Sequence, residues 1–375
     1  MSLMHEMTTK AQRLGVPLSV QLDLTYRCSE RCIHCYLDHH DRGEMTTPEI
    51  VGLLDQMAAA GVLFLTLSGG EILMRRDFFE ILDYARSLMF CVKLKTNGVM
   101  IRDIEARRIA DAAVDSVQIS IYSHRAEVHD RITKLPGSLR RSVDGARRLT
   151  ALGVKVFFAN VLMKDNANDY QGVQALAAEA GANFVIDPTI TPMMDGGRGV
   201  LDLNIDPEAL RRVFRDTAVN PDSAAFCGTP KGPLDPQEAA ETMPCSAGHT
   251  ACYVSPYGDV FPCVQFPLAC GNVRQAGFAE IWRESPRMLD VRSIRMSDIE
   301  GCADCMHGSA CSRCPGLAFT EGNMRGPSVQ DCEKSFARTG MPSVNLLRKR
   351  ATTPALQSLV QIRSVQAAPY SKTPA

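Results

Sequence analysis

Three cysteines fall within eight residues in Cys28-Ser-Glu-Arg-Cys32-Ile-His-Cys35, just after the alternating apolar segment Leu18–Leu24. Three thiolates in one short loop can grip a face of a cubane iron–sulfur cluster, which needs four ligands. With three supplied locally, one iron is left open to an outside molecule. Two other chemistries use similar residues. Zinc prefers four protein ligands, commonly in paired CxxC units, and a redox CxxC needs only two cysteines. A second cysteine field lies far downstream: Cys245-x12-Gly258-x4-Cys263, then Cys302-x2-Cys305-x5-Cys311-x2-Cys314, then Cys332. Its paired CxxC units alone would also suit structural zinc.

The elements that must position these loops follow from periodicity. Short apolar runs alternate with amphipathic stretches from Leu18 to Pro188, the pattern of βα units around a parallel sheet. Strands are expected at Leu18–Leu24, Val62–Leu67, Cys91–Thr96, Ser116–Ile121, Val154–Leu162 and Asn183–Asp187. Thr47-Pro48 supplies a capping hydroxyl and a proline for the first helical position, and Gly61 a stop. Another helix is expected from about Ser138 to Leu152. Six units are too few for an eightfold barrel of about 250 residues. In βα folds the chemistry gathers at the carboxyl ends of the strands. The cysteine loop, Gly69-Gly70-Glu71 and Thr96-Asn97-Gly98 all follow expected strands closely, so three polar motifs share one rim.

Composition narrows the function classes. A length of 375 residues allows one large domain and a smaller one. A formal net charge of −1 gives no global pull toward nucleic acid or anionic membrane. No run approaches the ~18 apolar residues of a membrane span, and Met1 to Pro17 lacks the apolar core of a signal peptide. The clustered cysteines among the fourteen are therefore expected as metal-bound thiolates in a reducing cytoplasm, not as a disulfide framework.

The order strand, three-cysteine loop, helix resembles the radical S-adenosylmethionine (radical SAM) family. That resemblance implies a partial (β/α)6 TIM-like barrel, open on one side, with SAM on the open iron of a [4Fe-4S] cluster held by Cys28, Cys32 and Cys35. It implies that Gly69, Gly70 and Glu71 meet the methionine amino group, Ile72 standing where the family usually has proline. Thr96, Asn97 and Ser120 would serve the ribose, Arg131 the carboxylate, and His34 would pack near the adenine. The downstream field resembles the SPASM domain, a twin auxiliary-cluster module. The family pattern assigns Cys245, Cys252, Cys263 and Cys314 to an inner [4Fe-4S] cluster and Cys302, Cys305, Cys311 and Cys332 to an outer one. The family's last spacing is usually x3, and here Cys311 to Cys314 is x2. Cys91, Cys227 and Cys270 are left over.

The expected layout is an extension at 1–17, the radical SAM partial barrel at 18–189, a Pro/Gly/Asp-rich bridge at 190–244 with a short helix near Pro207–Asp216, the small cysteine-rich auxiliary-cluster domain at 245–335, and a disordered basic tail at 336–375. From Lys334 onward the chain has seven Lys or Arg and no acidic residue. Arg348-Lys-Arg350 is a candidate contact for an acidic leader peptide. The implied activity is reductive cleavage of SAM to a 5′-deoxyadenosyl radical that oxidatively modifies a ribosomally made precursor peptide, by cross-linking or related C–H functionalisation. A flavodoxin or ferredoxin would supply electrons, and a separate small protein could recognise the leader. A haem-pathway oxidative decarboxylase is the small-molecule alternative; it would need a basic pocket, for which Arg198, Lys231 and Arg274 are the candidates. A sulfatase-maturing formylglycine enzyme would be expected to carry Asp where Val264 follows Cys263. A pure electron carrier would have no use for the GGE segment and the open iron.

Overall fold

The structure, a computed structural model, describes residues 3–230, 232–308 and 311–347. All six expected strands form: β1 (Ser19–Thr25), β2 (Phe64–Gly69), β3 (Cys91–Thr96), β4 (Ser116–Ser120), β5 (Val156–Val161) and β6 (Asn183–Asp187). They pair in parallel and in chain order. One face of each inner strand is apolar because alternate residues point to the same side. Val20, Leu22 and Leu24 of β1, Leu65 and Leu67 of β2, and Val92 and Leu94 of β3 are buried in one core. Helices Thr47–Ala59, Phe78–Ser87, Asp103–Asp111 and Ser138–Ala151 send their buried residues into that same core. The cap of the first is one residue earlier than expected: the Thr46 backbone N–H donates to the Glu49 carboxylate at 2.7 Å, while Thr47 bonds Asp77.

The sheet does not end at β1. Three further strands, β7 (Ala251–Val254), β8 (Asp259–Phe261) and β9 (Gly271–Asn272), extend it, giving the order β6-β5-β4-β3-β2-β1-β7-β8-β9. β7 runs parallel to β1, and β8 and β9 return antiparallel. The barrel is therefore open, and the cysteine-rich region is continuous with it through the sheet. Trp282 reinforces the junction by donating from Nε1 to the Gly15 carbonyl at 2.6 Å.

The flanking segments hold more structure than expected. The N-terminal extension contains a helix, Leu3–Leu14. In the bridge the expected helix forms at Pro207–Arg215 under an Asp206 cap, and Ser223–Phe226 and Pro236–Glu241 add two short ones. The tail expected to be disordered from 336 is ordered at its start. The helix Val329–Thr339 buries Ala337 against Leu210, Val213 and Phe214, and Ser343 and Leu346 are buried beyond it. Packing of this helix against Pro207–Arg215 holds it in place, which charge counting could not see. Lys231 and Arg348-Lys-Arg350 lie outside the described residues.

Candidate active site

The three-cysteine loop leaves the carboxyl end of β1 and is held from outside. The Arg31 and Ile33 backbone N–H groups donate to the Thr133 and Ile132 carbonyls, both at 3.0 Å. Cys28, Cys32 and Cys35 line one cavity at the carboxyl ends of the six parallel strands. Burial pushes the Cys28 thiol up to about 12, Cys32 well above its ordinary value, and Cys35 upward too, with neighbouring carboxylates or thiols adding to each. Bare thiols here keep their protons; iron that displaces those protons would hold them as thiolates. The Asn97 side-chain N–H points at Cys28 Sγ from 3.8 Å and also donates to Ser29 Oγ at 3.1 Å. This donor set fits a cluster ligated from one loop.

His34, Gly69, Gly70, Thr96, Asn97 and Ser120 all line the same cavity, as the rim argument required. His34 is edge-on to Tyr122 with ring centroids 4.7 Å apart; burial pushes it down to about 4, so its imidazole is neutral, and its Nδ1 has no partner among the described residues. Two expectations change. Glu71 is fully buried and its carboxylate faces protein: it accepts from Thr96 Oγ1 at 2.8 and 2.7 Å, the Asn97 N–H at 2.9 Å and the Leu73 N–H at 3.1 Å. It braces the Thr96-Asn97 turn and does not line the cavity. Arg131 lies on an exposed helix face, 3.5 Å from Asp165, and also does not line the cavity.

The motif search missed the cavity's polar floor: Gln21, Lys95 and Gln118, with Tyr36, Asp187, Thr191 and Gln265 around it. The signal was present. Gln21, Lys95 and Gln118 alternate with buried apolar residues along their strands, so they face away from the helix-covered core.

The downstream cysteines separate into groups. Cys302, Cys305, Cys311 and Cys332 line one small cavity, together with Arg313. Cys245, Cys263 and Cys314 form a second group, with Cys314 feeling both other thiols. Cys252 feels Cys263 of this group and also Cys270. It is buried in the helix-side core with Cys270, and Cys270 precedes Cys263 among the thiols that raise it. Arg313, buried, lies between the two groups: its Nε donates to the Gly326 carbonyl at 3.0 Å, and its charge reaches Cys302 and Cys314. Among the described residues no three His, Cys, Asp or Glu close on a single point as around one metal ion. A cubane makes no such demand, because each of its ligands binds a different iron. Arg274, a candidate for a basic pocket, is instead tied to Glu49 at 2.6 Å on the outer surface.

Known proteins match this arrangement. Residues 22–176 match the Radical SAM superfamily, and residues 245–306 match the SPASM iron–sulfur cluster-binding domain. The AdoMet-dependent heme synthase of Oleidesulfovibrio alaskensis is 29% identical over 321 residues, covering 80% of this chain and 82% of that protein. The mycofactocin maturase MftC of Mycobacterium ulcerans is 29% identical over 312 residues, with 80% and 82% covered. Among solved structures, Streptococcus suis SuiB bound to its precursor peptide SuiA shares the fold with a TM-score of 0.69 at 17% identity, over 87% of this chain and 78% of that one. The cofactors that go with the two domains are SAM, its [4Fe-4S] cluster and two auxiliary [4Fe-4S] clusters. The chain thus carries a radical SAM domain in its open barrel and a SPASM domain after it.

Proposed function

We propose that this protein is a radical SAM oxidoreductase that modifies a ribosomally made precursor peptide. Cys28, Cys32 and Cys35 would hold the SAM-binding cluster, with SAM lying along His34, Gly69, Gly70, Thr96, Asn97 and Ser120. Cys302, Cys305, Cys311 and Cys332 would hold the outer auxiliary cluster, and Cys245, Cys263 and Cys314 the inner one. Bound together, the cluster and SAM supply one-electron chemistry that abstracts an unactivated hydrogen, and the auxiliary pair can accept the electron the substrate then loses. The protein's own part is positional. Glu71 fixes the turn bearing Thr96 and Asn97, Asn97 offers an N–H to Cys28, and Leu37, Val161 and Ile190 supply apolar wall around the cavity.

The relatives do not choose the substrate, since the maturase and the heme synthase are equally similar. The cavity lining supports the peptide. Among the described residues its only lysine or arginine is Lys95, set against Glu30 and Asp187. A porphyrin with several carboxylates would call for several cations, best supplied by arginine. Neutral donors and acceptors such as Gln21, Gln118, Thr191 and Gln265 suit the amide groups of a peptide backbone. A flavodoxin or ferredoxin as reductant, a separate leader-recognition protein and a reducing cytoplasm complete the reading. Among the described residues no helix is long and apolar enough to cross a membrane.

The test is anaerobic turnover of the reconstituted enzyme with SAM and dithionite. One arm receives a candidate precursor peptide, the other an iron porphyrin bearing free propionates. Peptide-dependent 5′-deoxyadenosine together with an oxidised peptide is expected. Stimulation and decarboxylation with the porphyrin alone would reject the peptide reading.

A further inference from the structure

We propose that Arg313 and His307 are positioning residues of the outer auxiliary cluster: they turn hydrogen-bond donors onto it and hold its reduction potential up. The inference rests on the auxiliary-cluster reading above and names the side chains that tune it.

Both residues lie inside the cysteine run, in Cys302-Ala-Asp-Cys305-Met-His307 and Cys311-Ser-Arg313-Cys314. A cation in a short loop ordinarily keeps its head in water. The neighbours do turn outward: Asp304, Met306 and Ser312 are exposed. His307 and Arg313 turn inward instead, only 1% and 3% exposed. Both line the small cavity that Cys302, Cys305, Cys311 and Cys332 also line.

The bonds these two residues leave unmade point to what the cavity holds. Arg313 donates from Nε to the Gly326 carbonyl at 3.0 Å and from Nη2 to the Met324 carbonyl at 2.6 Å. Those bonds fix the plane of the guanidinium fork. Its Nη1 is buried with no hydrogen-bond partner among the described residues, and the same holds for both ring nitrogens of His307. Buried polar atoms nearly always have partners, and an imidazole carries at least one N–H in either protonation state. Among the described residues the guanidinium also has no ion pair. Asp331, the buried carboxylate beside Cys332, instead accepts from the Cys314 N–H at 2.7 Å and pairs with Lys334 at 3.7 Å. A buried cation calls for a counter-charge. The four cysteines of the same cavity supply it once they hold iron, because a cubane with four thiolates is an anion whose sulfurs accept hydrogen bonds. One group thus answers three unmet demands: the Arg313 charge, its Nη1 donor and the His307 N–H.

The consequence has a sign. Reduction adds one electron, so negative charge grows at the sulfurs. A fixed cation and two N–H donors in a buried site favour the reduced form over the oxidised one and raise the potential. Without them the outer cluster would be a poorer acceptor for the electron that the substrate loses.

The experiment is a redox titration of the anaerobically reconstituted full chain, followed by electron paramagnetic resonance, with iron and sulfide counted beside it. The wild-type chain should hold about twelve irons. The wave that SAM shifts marks the SAM-binding cluster, and the other two are auxiliary. Arg313→Met should lower one auxiliary wave so that, at the wild-type midpoint, the reduced-to-oxidised ratio falls at least tenfold, a shift of about 59 mV or more for one electron. His307→Phe should lower the same wave. Arg313→Lys keeps the charge and should lower it less than Met does, and His307→Gln keeps a donor and should lower it less than Phe does. Unmoved auxiliary waves in Arg313→Met and His307→Phe at full iron content, or shifts that fall on different waves, would overturn the proposal. Loss of about four irons in all four variants would make both residues structural and overturn it as well. A wild-type chain that holds only about four irons would sink the auxiliary-cluster reading itself, and this proposal with it.

Discussion

Glu71 is a fully buried carboxylate, and its worth lies in what it holds. Four contacts tie it to Thr96, Asn97 and Leu73. Burial raises its proton affinity against those hydrogen bonds. Glu71→Gln replaces one acceptor oxygen with an N–H₂ that confronts donors, leaving the Asn97 turn poorly satisfied. A lost bond to a charged group is worth about 1.5–3 kcal/mol, so SAM affinity should weaken by roughly 10- to 100-fold, measured by anaerobic equilibrium dialysis. Unchanged affinity would show that the turn holds its place without this brace. At this scale the sequence was legible where a motif closes a strand: His34, Gly69, Gly70, Thr96, Asn97 and Ser120 reach the cavity because their strand ends do. Arg131 does not line the cavity: it lies in the helix Ala126–Thr133, where one residue's direction depends on packing that sequence order does not specify.

Elements meet at the ends of β1 and β2, where two glycines permit a backbone contact. The Gly70 N–H donates to the Thr25 carbonyl at 2.7 Å and the Glu71 N–H to the Arg27 carbonyl at 2.9 Å. A Cβ on Gly70 would fall 2.4 Å from the Arg27 carbonyl oxygen, and one on Gly69, at φ +134°, 2.3 Å from that of Thr25. The glycines thus bring β2 against the base of the cysteine loop, where the sequence suggested close approach to a ligand. Gly70→Ala should cost about 1–3 kcal/mol and part this loop from β2. Lower iron content at the SAM-binding cluster and a lower melting temperature are the expected readings; normal values for both would show the contact to be dispensable. The strand β1 also carries a titrating group. Burial pushes Asp23 up from 3.8 to about 6, against hydrogen bonds from Gln21 and Tyr253. The folded chain then keeps a proton that the unfolded chain has released between those two pH values. The resulting stability is full below 3.8 and is lost as pH rises through about 6, on the order of 3 kcal/mol in all. Asp23→Asn mimics the protonated form, so its melting temperature should exceed wild type above pH 7 and converge with it near pH 4. A gap independent of pH would place the effect elsewhere.

For the whole molecule, the two cysteine-bearing regions share one sheet. The sequence displayed six βα units plainly, because each is a local apolar run followed by an amphipathic one. It did not display the seam between β1 and β7, because pairing of strands some 230 residues apart leaves no local periodic trace. An apparent boundary at 244/245 is thus a boundary in composition, and the hydrophobic core runs across it. Val254, Val260, Phe278, Ile281, Trp282 and Met288 are buried in the same cluster as Val20, Leu22 and Leu24. Fully burying each such side chain is worth about 1.5–3 kcal/mol, so removing them forfeits on the order of 10 kcal/mol, comparable with the whole net stability of a typical domain. Truncation would also bare the β1 edge, whose unpaired backbone is a template for aggregation. A fragment ending at Pro244 should therefore not fold by itself, even though it holds the complete three-cysteine motif and all six parallel strands. Circular dichroism and size-exclusion chromatography of that fragment, with and without anaerobic cluster reconstitution, are the check. A soluble monomer with a cooperative melting transition would show that the barrel is independent of its cysteine-rich extension, and the shared core would then be a docking surface between two self-sufficient domains.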